Sequence, residues 1–212
     1  MPSAERVVLC YGDSNTYGTI PAVGGRFPRD VRWPGVLADE LGAGWHVIEE
    51  GLGGRTTVFD DPLQPGRNGR KHFLPCLLSH DPLDLVVIGL GTNDLKVRYS
   101  ASAADIARGV AVLAELALES RVGPGGESPK VLLLGLPTLG PLDDRPDELA
   151  GGAEKAVAMR PYLREWAALL GVELLELHEL VGYSQRDGFH LEAESHRLIG
   201  EAVAARIQAV FA

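Results

Sequence analysis

The chain has 212 residues, 45% of them hydrophobic and 23% charged, which is ordinary usage for one globular domain with a sizeable core. Its formal net charge of -9 argues against a nucleic-acid or anionic-membrane surface, because phosphate binding requires clustered lysines and arginines. The sequence shows no signal-peptide pattern, no membrane-spanning run, and only two cysteines without CxxC spacing. We therefore expect a single domain over residues 1–212 in the reducing cytoplasm.

Short apolar runs alternate with stretches of helical period along the whole chain. The runs predict strands at residues 6–11, 46–50, 85–90, 130–136 and 172–177, and the stretches predict helices at 33–41, 72–79, 102–119, 152–170 and 192–211. The strands are rich in valine, leucine and isoleucine, so we expect them to be buried on both faces. The alternation predicts an α/β protein, a three-layer α/β/α sandwich with a parallel sheet of about five strands.

Two of the predicted helices contain informative positions. Ile106, Val110, Leu113 and Ala117 recur at steps of four, three and four, which places them on one face of the helix at 102–119 for burial. In the helix at 152–170, Pro161 lacks a backbone donor, so we expect a kink or a restart there.

Three long loops, at residues 15–32, 51–71 and 137–151, are rich in glycine and proline. Long ordered loops in a compact domain are more often functional than idle. The first two follow the first two strands, and open parallel sheets bind ligands beyond the carboxyl ends of their strands. We expect these two loops to frame a binding site.

Four short blocks stand at strand ends or before the last helix. They are residues 12–15 (GDSN), 51–57 (GLGGRTT), 91–94 (GTND) and 187–190 (DGFH). Their order and separations resemble those of the SGNH (GDSL-like) hydrolase superfamily over essentially the whole chain. The runs at 32–38 (RWPGVLA), 49–52 (EEGL) and 55–57 (RTT) resemble its small cytoplasmic aryl-esterase and acyltransferase branch. The resemblance implies a flavodoxin-like SGNH fold, a serine esterase without a cofactor, and a homo-oligomer.

The resemblance makes Ser14 the nucleophile and His190 its base. A serine hydroxyl is a poor nucleophile at neutral pH and needs a neighbouring base to accept its proton. A carboxylate three residues earlier can hold the other ring N–H of the imidazole, and Asp187 has that spacing. The alternative is that Ser14 caps a helix and that Asp187 and His190 cap the last one.

The resemblance also implies three donors for the oxyanion that forms when an ester carbonyl is attacked. These are the backbone N–H groups of Ser14 and Gly54 and the side-chain amide of Asn93. Preorganised donors of this kind contribute on the order of a hundred to a thousandfold each. The alternatives are that Gly53 and Gly54 form a tight turn and that Asn93 forms a turn after the third strand.

Three further residues are expected to support the site. Asp13 should fix the loop backbone before the nucleophile, Asp94 should orient its block through hydrogen bonds, and Arg55 should pair with a carboxylate behind the oxyanion donors. Asn15 departs from the family pattern, because it replaces the leucine of the GDSL motif. We expect that change to alter local packing and pocket polarity rather than the reaction.

The motifs favour a serine esterase that hydrolyses small carboxylic esters, with acyl transfer to alcohols or peroxide as a side activity. The six histidines have no HExxH spacing and no run completes GxGxxG, so we expect neither a metal nor a nucleotide. We expect a small-molecule ester as partner, and neither nucleic acid nor membrane. Two alternatives remain open: a carbohydrate O-acetyl esterase with the same triad, and a non-catalytic small-ligand-binding module.

Overall fold

A five-stranded parallel sheet forms the centre of the computed structural model, which describes residues 5–142 and 146–212. The strands are β1 (Arg6–Gly12), β2 (Trp45–Gly51), β3 (Leu85–Gly89), β4 (Lys130–Gly135) and β5 (Glu173–Glu176), in the spatial order β2-β1-β3-β4-β5. In β1, which lies between β2 and β3, Leu9 is opposite Ile48 of β2 and Val86 of β3. All five predicted strands are confirmed, each to within one residue at either end.

The described residues form six α-helices, five between successive strands and the last after β5. They are α1 (Ser14–Tyr17), α2 (Trp33–Leu41), α3 (Gly69–Ser79), α4 (Ala103–Glu119), α5 (Gly152–Leu170) and α6 (Ala193–Val210). The five longer helices are those predicted, although α3 begins at Gly69 instead of residue 72. The single turn of α1 was not predicted, because four residues inside a loop are too few to show a helical period.

The helices form two layers, one on each face of the sheet. Successive side chains of a strand point to opposite faces, so Val8 packs with α2 and α6 while Leu9 packs with α3, α4 and α5. Leu37 and Ile199 belong to the first core, and Phe73 belongs to the second. The predicted three-layer sandwich is confirmed.

Helix α4 follows its sequence pattern closely. Ser102 and Asp105 form a capping box at its start, in which each side chain accepts the other residue's backbone N–H. The four predicted core positions, Ile106, Val110, Leu113 and Ala117, are all buried.

The structure contradicts two details of the predicted fold. Helix α5 runs through Pro161 from Gly152 to Leu170, so of the two alternatives at Pro161 the restart is wrong. Pro161 and Val157, whose carbonyl loses its partner, are both exposed, and water can satisfy that carbonyl. The two edge strands, β2 and β5, are half-buried instead of buried on both faces.

No helix in the described parts of the chain combines the length and the apolar composition needed to cross a membrane.

Candidate active site

The site begins where β1 ends and turns at once into α1. Gly12 makes this turn possible, since a Cβ atom there would lie 1.9 Å from Oγ1 of Thr16. The Asp13 carboxylate then caps α1 by accepting the backbone N–H of Asn15 at 2.8 Å. Ser14 is the first residue of α1, so this short turn fixes its position at the carboxyl end of β1.

Three of the predicted site residues form a continuous chain of hydrogen bonds. Oγ of Ser14 lies 3.1 Å from Nε2 of His190, and Nδ1 of the same ring lies 2.8 Å from Oδ2 of Asp187. The side chains of His190 and Asp187 are only 13% and 10% exposed. The fold thus brings together two chain segments that are 176 residues apart.

Asp187 is held as an ionised acceptor. Burial alone would raise its pKa, but the hydrogen bonds from the His190 ring and from the Ala22 N–H outweigh that effect and lower it. Its other oxygen accepts the backbone N–H of His190 at 3.1 Å. A carboxylate at Nδ1 keeps that nitrogen protonated, which leaves Nε2 free to accept a proton from the hydroxyl of Ser14.

Asn15 ties the Ser14 turn to the His190 loop. Its Nδ2 donates to the carbonyl of Phe189 at 3.1 Å, and its Oδ1 accepts the N–H of Leu191 at 3.1 Å. The two bonds bracket His190 on both sides along the chain. Asn15, which departs from the GDSL pattern, therefore uses both the donor and the acceptor of its side-chain amide. A leucine side chain has neither group.

The Asn93 side chain lies beside this chain of hydrogen bonds. It follows β3 in a 3₁₀ turn, is buried, and donates from Nδ2 to the carbonyl of Arg55 at 3.1 Å. The Asp13 Oδ2 atom lies 3.5 Å from the same nitrogen. These contacts fix the amide near the start of α1.

Gly54 lies in the loop that follows β2. The Arg55 N–H donates to the carbonyl of Leu52, so residues 52–55 form a tight turn, and Gly54 adopts a left-handed φ of 76° that favours glycine. Within the described residues, neither the Ser14 N–H nor the Gly54 N–H donates a hydrogen bond to the protein. The turn prediction is correct, and the turn leaves the Gly54 N–H available.

The two buried aspartates behave as predicted supports. Asp13 caps α1, and Asp94 accepts both the N–H and the hydroxyl of Thr57, at 2.9 and 2.5 Å. Burial raises the pKa of Asp13 and of Asp94 to about 6.

The prediction that Arg55 pairs with a carboxylate is wrong. Its guanidinium donates to the carbonyls of Gly12 and Glu50 and lies 4.0 Å from the centre of the Tyr11 ring. The carboxyl ends of β1 and β2 present these carbonyls side by side, and the aromatic face completes a site for a flat cation. Arg55 thus joins the two strand ends behind the Gly54 turn.

An open cleft of about 630 Å³ adjoins His190 and Asp187. The first long loop supplies the rest of its lining, which includes Thr19, Ile20, Ala22, Val23 and Gly24. The predicted loop at 137–151 also approaches the site, since the Gly140 N–H donates to the Gly188 carbonyl at 2.9 Å. Residues 143–145 of that loop lie outside the described part of the chain.

Sequence reasoning did not identify the roles of two residues that shape the site. The polar Asn15 at a position where leucine is usual was a signal for polar partners, although not for which ones. Nothing in the sequence marks Ala22, because it acts through its backbone N–H on Asp187.

Comparisons with known proteins were made by family model and by structure. The model of the GDSL-like Lipase/Acylhydrolase family matches residues 10–198. The structure resembles Est24, a carbohydrate acetylesterase from Sinorhizobium meliloti, with a TM-score of 0.94 and 38% identity over 98% of this chain and 100% of that one. No curated protein matches the sequence.

Two aryl esterases are similarly close in structure. The inhibitor-bound aryl esterase of M. smegmatis gives a TM-score of 0.92 at 38% identity, over 96% of this chain and 99% of that one. A putative arylesterase from Agrobacterium tumefaciens gives 0.87 at 38% identity, over 97% and 99%.

Proposed function

The chain belongs to the GDSL-like lipase/acylhydrolase family, and on that basis we propose a serine esterase that hydrolyses small aryl or short-chain alkyl esters through an acyl-enzyme on Ser14. The observation that carries the proposal is the chain of hydrogen bonds from Ser14 through His190 to Asp187, at 3.1 and 2.8 Å.

His190 acts first as a base and then as an acid. Its Nε2 accepts the proton of Ser14 as Oγ attacks the ester carbonyl, and Asp187 stabilises the imidazolium that forms. The imidazolium returns this proton to the departing alcohol, leaving an ester on Ser14. His190 next activates water, which releases the acid and frees Ser14.

The oxyanion of each tetrahedral intermediate is stabilised by the N–H groups of Ser14 and Gly54 and by the Asn93 amide. The first two donors support this role because neither is used within the described residues. The third is held by the Arg55 carbonyl, so it needs little reorganisation when charge develops.

The open cleft beside His190 favours small substrates and also acyl transfer. The cleft is open beside the base, so an alcohol or peroxide that enters it competes with water for the acyl-enzyme. The exposed Val23 and Leu63 in the long loops support a homo-oligomer, because solvent-facing apolar loop residues gain from burial against a second subunit.

A second candidate is deacetylation of carbohydrates with the same three residues. The similarity to Est24, described as a carbohydrate acetylesterase, favours it, and so does a cleft wide enough for a sugar ring.

The test is an acyl-length series of p-nitrophenyl esters measured beside acetylated sugars, with the wild type and with Ser14→Ala, His190→Ala and Asn93→Ala. We expect Ser14→Ala and His190→Ala to lose nearly all turnover, and Asn93→Ala to lose about two to three decades. Faster turnover of acetylated sugars than of aryl acetates would select the second candidate.

Labelling with a serine-directed fluorophosphonate distinguishes an esterase from a binding module. The wild type should react and Ser14→Ala should not. A wild type that does not react would favour the non-catalytic small-ligand module.

A further inference from the structure

Three side chains of metal-binding type meet outside the active site, where the carboxyl end of β2 passes α3. Glu50 contributes a carboxylate, His72 an imidazole and Cys76 a thiol, and their ligand atoms all lie within 4.8 Å of one another. His72 and Cys76 are four residues apart on α3 and so lie on the same face of the helix. Glu50, the next-to-last residue of β2, approaches that face from the sheet.

Glu50 has imidazoles as its ion-pair partners. Its carboxylate lies 3.5 Å from Nε2 of His80 and 3.9 Å from Nε2 of His72. Within the described residues, no lysine or arginine forms an ion pair with it, and Arg55 bonds to its carbonyl instead. The Arg55 guanidinium acts on Glu50 electrostatically without an ion pair, so the carboxylate oxygens stay available to a metal ion.

A cation can reach the cluster from solvent. Glu50 and His72 line an open cleft of about 740 Å³, to which Asp60, Asp61, Arg55 and Lys71 also contribute. The His72 side chain is exposed and can rotate, whereas Cys76 is buried at 3% exposure. The cleft thus provides a route for the ion to Glu50 and His72, and the buried sulfur lies within 4.8 Å of their ligand atoms.

We propose that Glu50, His72 and Cys76 bind a zinc ion, with water in the fourth position. One thiolate, one imidazole and one carboxylate form a mixed donor set that suits zinc better than magnesium or calcium, which prefer oxygen alone. Zinc bonds of about 2.0–2.3 Å require the three ligand atoms to approach by roughly 1 Å, which rotation of the exposed His72 can supply. Binding displaces the proton of the Cys76 thiol.

The site would join β2 to α3 and includes none of the proposed catalytic residues. It therefore goes beyond the proposed esterase function and does not depend on it. Zinc that binds the folded chain in preference to the unfolded chain raises the melting temperature.

The test uses Co²⁺ as a spectroscopic stand-in for zinc in the chelator-treated full chain. We expect one equivalent of Co²⁺ to produce a thiolate-to-cobalt charge-transfer band in the near ultraviolet, and Zn²⁺ to remove that band by displacement. We also expect His72→Ala and Cys76→Ala each to weaken binding by at least about tenfold.

Two matched controls make the assignment specific. Cys10→Ala removes the other cysteine, and His178→Ala disrupts a second group of possible ligands, formed with Glu176 and Glu179. Both should bind Co²⁺ as tightly as the wild type does. If Cys76→Ala fails to fold, His72→Ala decides the question, because that side chain is exposed. No charge-transfer band in the wild type, or unchanged affinity in His72→Ala, would overturn the proposal.

Discussion

Replacement of Asn15 by leucine, which restores the GDSL motif, should impair this chain. The substitution removes two hydrogen bonds, one to the Phe189 carbonyl and one from the Leu191 N–H, each worth about 0.5–1.5 kcal/mol. The unpaired Leu191 N–H costs about 1–3 kcal/mol more. Burial of the leucine side chain returns about 1.5–3 kcal/mol, so at the midpoints of these ranges the free energy of unfolding should fall by about 2 kcal/mol.

The kinetic effect of Asn15→Leu should be larger in kcat than in KM. Asn15 holds the chain on both sides of His190, and a catalytic group misplaced by about 1 Å can cost about a hundredfold in rate. We expect kcat for p-nitrophenyl acetate to fall by about 10- to 100-fold with KM nearly unchanged. Thermal unfolding monitored by circular dichroism measures the stability change in the same samples.

Asn68→Leu is the matched control for this experiment. Asn68 is as buried as Asn15, and its amide likewise donates to a backbone carbonyl, that of Val58, and accepts one N–H, that of Lys71, with one further bond to the Asp60 carboxylate. This control should lose comparable stability and keep a kcat close to that of the wild type. A wild-type kcat in Asn15→Leu, or an equal loss in both variants, would refute the positioning role of Asn15.

Three further changes probe the supports of the site. Asp187→Asn should lower kcat by about 10⁴ while the protein stays folded, because the amide favours the wrong tautomer of His190. A kcat within tenfold of the wild type would contradict this role of Asp187. Arg55→Lys should lower the free energy of unfolding by about 1–3 kcal/mol, because lysine cannot bridge two carbonyls and also lie flat on the Tyr11 ring. Urea titrations measure this loss, and unchanged stability would contradict the prediction. Burial raises the pKa of Asp94 from 3.8 to about 6, so the folded state binds the carboxyl proton more tightly than the unfolded state does. The contribution of Asp94 to the free energy of unfolding therefore falls as pH rises from 3.8 to 6. Over that range the wild type should lose about 3 kcal/mol relative to Asp94→Asn in melting curves, and a pH-independent difference would contradict the shift.

Much of the fold was predictable because the sheet and its helices depend on local patterns. Continuous apolar runs marked β1, β3 and β4, and the steps of four and three in Ile106, Val110 and Leu113 marked the buried face of α4. The restart at Pro161 was wrong because the sequence does not show whether the freed carbonyl faces water.

The site was predictable where the motif itself supplies the chemistry. Ser14, Asp187 and His190 lie where the four blocks imply, as do Asn93 and Gly54 in their turns. Their catalytic roles stay predictions until activity is measured.

The contacts between distant segments were not predictable from the sequence. The partners of Arg55 are backbone carbonyls, which leave no trace in a residue pattern. The i, i+4 spacing of His72 and Cys76 is visible in the sequence, but only the fold brings Glu50 to them.

The central claim is that Ser14 carries the acyl group, and mass spectrometry of the quenched reaction tests it most directly. Wild-type protein mixed with p-nitrophenyl acetate and quenched with acid within milliseconds should gain one acetyl group, located on Ser14 by peptide fragmentation. His190→Ala and Ser14→Ala should gain none. An acetyl group on another residue, or full turnover by Ser14→Ala, would contradict the mechanism.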